Sequence, residues 1–165
     1  MANEHLATYL NDHLAGSVIA IDLLEHLERT HATTPLAEFF SKLRAEIAAD
    51  REELEKLMSQ LQIAESRTRK ASAWFGGKVT ELKLKLDDPS DGDLRLFESL
   101  EALSLGIEGK RGLWLALSTV AEDNANLRLI DYKRLTQRAE EQRSRVEVKR
   151  LGVAKAALAL TPEAE

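Results

Sequence analysis

Residues 36–61, which read LAEFFSKLRAEIAADREELEKLMSQL, decide the fold. Apolar residues recur there at alternating steps of three and four, and only Asp50 interrupts them. That spacing puts the apolar side chains on one face of an α-helix, so the stretch predicts a long amphipathic helix. Thr34 and Pro35 mark its start. Threonine caps helix N-termini, and proline is tolerated in the first turn because a backbone N–H there has no acceptor within the helix.

Three other segments repeat this periodicity. The predicted helices occupy residues 3–30, 35–63, 93–120 and 131–160. The links between the first two and between the last two are short, which makes each pair an antiparallel hairpin. Residues 64–92 are far more than a hairpin loop needs, so we expect a long crossover there, with a short helix near residues 71–75.

These elements predict an all-α, antiparallel four-helix bundle. We expect it to form a single domain over residues 1–160, followed by a tail at 161–165. The chain has 165 residues and is 44% hydrophobic, which is enough to bury a full core. It contains no cysteine, which excludes disulfides and thiolate metal sites.

Neither a signal peptide nor a membrane span is expected. Met1 to His5 lacks the basic and then apolar layout of a signal peptide. No apolar run approaches the roughly 18 residues that a membrane span needs. We therefore expect a soluble protein of the cytoplasm.

Charge is distributed unevenly along the chain. Residues 1–65 carry 12 acidic and 5 basic side chains, whereas residues 127–160 carry 9 basic and 4 acidic ones. This pattern predicts acidic early helices paired with basic later ones. A nucleic-acid partner is not expected, because the net charge is −5 and aromatic residues make up only 5% of the chain.

Three phrases carry a family resemblance: YLNDHLAGSVIAIDLLEHL at 9–27, LEALSLGIEGKRGLWLAL at 100–117 and RAEEQRSRVE at 138–147. Together with the order of hairpins and crossover, they resemble an uncharacterised bacterial branch of the ferritin-like superfamily. The resemblance covers essentially the whole chain and implies a ferritin-like bundle.

The usual di-iron ligands of that superfamily are missing. Its di-iron members carry a Glu-x-x-His motif on each of two helices. Here all four histidines precede residue 32, and the fourth helix has Ala139 and Gln142 where the motif would be needed. A di-iron centre of the familiar kind is therefore not expected.

Polar residues nevertheless interrupt three of the apolar faces. They are His13, Asp50 and Gln142. One hypothesis is a buried network that fixes helix register, in which His13 donates to Asp50 and Gln142 completes the set. The alternative is a reduced site for iron, manganese or zinc. The candidate metal ligands are His13, Glu46, Asp50 and Glu108, and Glu101 lies two turns from Glu108.

Some further features suggest contacts rather than chemistry. Gly106, Gly109 and Gly112 predict the close approach of another helix or a partner subunit. Trp74 and Phe75, beside several basic residues, predict packing against the bundle or a dimer interface, and the alternative is a membrane-surface or partner contact. The basic residues of the last helix alternate with glutamates and predict a solvated face. They are Arg138, Arg143, Arg145, Lys149 and Arg150.

The sequence thus favours a non-enzymatic bundle, expected to be a homodimer that acts as an interaction or accessory protein with an unknown partner. No cofactor is expected. The metalloprotein is the alternative, and elemental analysis would separate the two.

Overall fold

The computed structural model describes residues 4–66 and 92–159. They form four helices: α1 (Glu4–Thr30), α2 (Leu36–Gln60), α3 (Gly92–Ala121) and α4 (Tyr132–Leu158). No strand occurs in these two ranges, so the all-α prediction is confirmed. The helix expected near residues 71–75 and the aromatic pair Trp74 and Phe75 lie outside the described residues.

Local chemistry sets the helix starts. At α2, the backbone N–H of Leu36 donates to the hydroxyl of Thr34 at 3.3 Å, and Pro35 has a helical φ of −60°. At α4, the side chain of Asp131 accepts from the backbone N–H of Arg134 at 3.0 Å. Both contacts satisfy an N–H group that the first turn cannot bond internally.

The core consists of two apolar clusters, one toward each end of the bundle. Phe40 of α2 and Leu100 of α3 belong to the first, whereas Leu57 and Trp114 of the same helices belong to the second. These two helices therefore run in the same direction. In α1 and α4 the order is reversed, because their early residues belong to the second cluster and their later residues to the first. Therefore α1 runs antiparallel to α2, and α4 runs antiparallel to α3.

Because α2 and α3 are parallel, the end of α2 and the start of α3 lie at opposite ends of the bundle. This is the ferritin-like arrangement of two hairpins, and the predicted fold class is confirmed. Among the described helices, none combines the length and the apolar character that a membrane crossing requires.

Asn11 fixes the path of the chain as it leaves α2. Its buried side chain accepts from the backbone N–H of Ser66 at 2.7 Å and donates to the carbonyl of Ala64 at 3.2 Å. The neighbouring Ile63 is buried in the second cluster. A residue of α1 thereby ties the start of the long connection to the first hairpin.

Candidate functional site

The polar centre of the bundle is built around Asp50 of α2, whose side chain is 2% exposed. Its Oδ2 accepts from the Gln142 amide at 3.0 Å and from the ammonium of Lys110. Its Oδ1 forms an ion pair with the guanidinium of Arg138. Asp50, Lys110, Arg138 and Gln142 are called the central network below. The network joins α2 to both helices of the second hairpin.

Gln142 closes the network into a ring. Its amide nitrogen donates to Asp50, while its amide oxygen accepts from the Lys110 ammonium. Gln142 is fully buried, and the side chain of Lys110 is only 16% exposed. Because water reaches this layer poorly, each member depends on the others for its hydrogen bonds.

The central network carries more positive than negative charge. Two cations, Lys110 and Arg138, face the single carboxylate of Asp50. Glu46 lies nearby, but it is already paired with Arg145. Burial lowers the pKa of the Lys110 ammonium, and Arg138 adds to that effect, while Asp50 and Glu46 oppose it. Among the described residues, the central network itself therefore carries a surplus of one positive charge.

Ion pairs continue along the contact between α2 and α4. Acidic residues of α2, spaced by four and three positions, each meet an arginine of α4. The pairs are Glu46 with Arg145, Asp50 with Arg138, and Glu53 with Arg134. The uneven charge of the sequence predicts this pairing of an acidic early helix with a basic later one.

His13 does not join Asp50, contrary to expectation. It is half-buried on α1, and its ring packs edge-on against Tyr9 with 4.7 Å between ring centroids. Burial lowers the pKa of His13, which favours the neutral imidazole. Within the described ranges, the hydrogen-bond and ion-pair partners of Asp50 are Lys110, Arg138 and Gln142. Lys110 takes the place that we expected for the histidine, because α3 brings its ammonium directly to the carboxylate.

The structure also keeps the other candidate metal ligands apart. Glu108 is 39% exposed and bonds to Arg111 at 2.7 Å, with Arg143 at 3.7 Å. Glu101 is 45% exposed and pairs with Arg150. The described part of the chain contains no group of three histidine or carboxylate side chains that could hold a metal ion. The residues present do not fit a di-iron site, because the interior carboxylate already has two cationic partners.

Two members of the central network were not expected from the sequence. Arg138 was assigned to a solvated face, which is wrong, because its side chain is 27% exposed and contacts the buried carboxylate. The burial of Lys110 can be predicted from the sequence. Ile107, Lys110 and Trp114 follow one another at steps of three and four, so the lysine lies in the apolar face of its helix.

A cleft of about 80 Å³ opens beside the central network. Residues of α1, α2 and α3 line it, and most of them are apolar. Its charged or titratable lining residues are His13, Asp50, Arg51 and Lys110. The site thus combines an apolar space with one end of a buried ion network.

Two glycines close to the cleft, Gly16 and Gly112, are not sites of close helix packing. A methyl group added at Gly112 of α3 or at Gly16 of α1 would meet no neighbouring atom of the described residues within 4 Å. The close approach predicted at Gly112 is therefore not made by another described helix. Gly16, by contrast, borders the cleft.

Comparison with known proteins identifies a likeness in fold. The crystal structure of the E. coli stress protein YciF superposes with a TM-score of 0.62, over 96% of this chain and 96% of that chain, at 15% sequence identity. No protein-family model matches the sequence, and no curated protein matches it. At this level of identity the likeness shows the fold alone.

The charge balance of the central network predicts unequal effects of two substitutions. Asp50→Asn leaves Lys110 and Arg138 buried without a counter-charge, so we expect a loss of about 3–5 kcal/mol in the free energy of unfolding. Lys110→Met leaves Asp50 paired with Arg138 and leaves the amide oxygen of Gln142 unbonded. We therefore expect a loss of about 1–2 kcal/mol in the free energy of unfolding. Urea unfolding followed by circular dichroism measures both values.

Glu108→Gln is the matched control, because it removes a carboxylate that is exposed and paired at the surface. We expect it to change stability by less than about 0.5 kcal/mol. Equal losses in Asp50→Asn and Lys110→Met would contradict the proposed surplus of positive charge.

Proposed function

We propose that this protein is a non-enzymatic, homodimeric bundle that acts as an interaction or accessory protein. The observation that carries the proposal is the enclosure of Asp50 by Lys110, Arg138 and Gln142. Such a network aligns helices, and it places two cations against the interior carboxylate. The parts of the molecule available to partners are then its outer faces and the cleft.

Metal binding tests this proposal most directly. A cation entering the centre would have to displace two positively charged side chains from Asp50, which opposes binding electrostatically. Protein purified without chelator or affinity tag should therefore contain no stoichiometric iron, manganese or zinc by elemental analysis. Added Mn²⁺ or Zn²⁺ should leave the midpoint of thermal unfolding unchanged.

A metal present at one ion per chain and lost in Asp50→Ala would overturn the non-enzymatic proposal. Metal retained in Asp50→Ala but lost in Glu108→Gln would place the ion at the surface, and the role proposed for the centre would stand.

The homodimer is proposed to form through the outer face of α4. Five residues recur there at alternating steps of four and three: Ser144, Val148, Leu151, Lys155 and Leu158. The three apolar ones are 70%, 62% and 57% exposed in chain order. This is the spacing of a helix–helix seam, and the same seam on a second copy could cover it about a two-fold axis.

Substitution within this seam should separate the subunits. At micromolar concentration we expect wild-type protein to have twice the chain mass of 18.4 kDa, by light scattering coupled to size-exclusion chromatography. Val148→Glu combined with Leu151→Glu places like charges in the apolar contact and should give the monomer mass. Leu129→Glu is the control, because Leu129 is 79% exposed but lies outside α4.

A monomeric wild-type protein would remove the dimer from the proposal. A dimer that persists in the double variant and dissociates in the control would move the interface away from α4.

We also propose that the accessory role belongs to a stress response. The support is the likeness in fold to the E. coli stress protein YciF over nearly the whole of both chains. Deleting the gene from its host should slow recovery from at least one of osmotic, acid or oxidative challenge, measured by growth curves. Expression of the wild-type protein should restore growth, and unchanged growth in all three challenges would contradict this part.

A further inference from the structure

The cleft between α1, α2 and α3 has the construction of a binding site. Its volume is about 80 Å³. Leu23, Ile47, Leu54, Ile107 and Leu113 supply much of its apolar wall. Small residues of α1, Gly16 and Ala20, supply another part, and a methyl group added at Gly16 would still meet open space. Apolar pockets with a few polar groups at one end are typical of small-molecule sites.

Lys110 and Trp114 bring hydrogen-bond donors to the wall of this cleft. The ammonium of Lys110 has three N–H groups, and within the described residues it bonds only to Asp50 and Gln142. The indole N–H of Trp114 is buried and has no hydrogen-bond partner in the described ranges. Both residues line the cleft. An occupant with an acceptor atom at the Lys110 ammonium would take the third of its N–H groups.

The charge at the cleft favours the same kind of occupant. Lys110 and Arg138 together exceed the charge of Asp50 by one, and Lys110 lies at the cleft wall. Arg51, the other cation of the lining, is neutralised by Glu55 at 2.6 Å. A single negative charge at the Lys110 end would therefore balance the central network. A dianion or a cation would create a new imbalance.

We propose that the cleft binds a small apolar monocarboxylate, with the carboxylate at Lys110 and the apolar body between α1 and α3. The carboxylate supplies two acceptor oxygens and one negative charge, and its bond to an ammonium is a charge-assisted one. The apolar body fits a wall of aliphatic side chains. This inference is independent of the dimer and of the stress response, so the failure of either leaves it standing.

Benzoate is a suitable probe, since it joins one carboxylate to a compact apolar ring. Benzyl alcohol and benzylamine have the same ring with a neutral and a cationic group. In titrations followed by ¹H–¹⁵N correlation spectra, we expect benzoate to shift the indole N–H signal of Trp114, assigned with Trp74→Phe. Benzyl alcohol should bind at least about tenfold more weakly, because a charged hydrogen bond is lost. Benzylamine should not bind.

Two variants and one control locate the site. Lys110→Met should weaken benzoate at least about tenfold and leave benzyl alcohol unchanged, because it removes the charge and keeps the apolar wall. Gly16→Leu should abolish binding of both probes by filling the cleft. Gly152→Leu is the control: Gly152 also faces open space, but it lies on α4 and does not line the cleft. It should leave both affinities unchanged.

Several outcomes would overturn the inference. Absence of binding at millimolar concentrations of benzoate would remove the site. Equal binding of benzoate and benzyl alcohol would show that charge does not select the ligand. Binding that survives Gly16→Leu in a folded protein, verified by circular dichroism, would place the ligand elsewhere.

Discussion

The carboxylate of Asp50 fixes how three helices of this bundle align. It is buried in α2, and its partners within the described ranges come from α3 and α4: Lys110, Arg138 and Gln142. A slip of α3 by one turn would move the ammonium by about 5.4 Å and break the contact. Leucine faces tolerate such slips far better, because apolar contacts have no fixed direction. The ion network therefore sets the level of three helices, while the apolar clusters supply most of the driving force for their association.

The same network changes what a ferritin-like interior can do. In the di-iron members of that fold, inward-facing acids from several helices share their negative charge with metal ions. Here the negative charge at the centre already faces two cations of the protein, Lys110 and Arg138. The other candidate acids of α3, Glu101 and Glu108, lie at the surface with arginine partners. The cations of the protein therefore act as fixed counter-ions of Asp50, and this is why we propose recognition at the cleft and at the outer face of α4.

Periodicity predicted the four helices, the hairpins and the buried positions of Asp50 and Gln142, because burial of a helix face follows directly from sequence spacing. It did not predict which side chains meet, since helix level depends on packing between elements that are distant in the chain. His13 shares its helix face with buried leucines and lines the cleft, but its ring packs against Tyr9. Arg138 flanks the apolar face of α4, and a long side chain can reach inward from such a position. Lys110 occupied the apolar face itself, and this signal was available in the sequence.

The cleft follows from how the central network is distributed. Its members come from α2, α3 and α4, so α1 contributes no ion pair to Asp50 and meets the bundle at this level through apolar packing. At the same level α1 presents the small residues Gly16, Ser17 and Ala20 toward the cleft. Larger side chains there would fill the space and add stability, since buried apolar volume stabilises a core. An open apolar space and a surplus positive charge each lower the stability of the folded protein. A bound anion with an apolar body would fill the space and neutralise the charge.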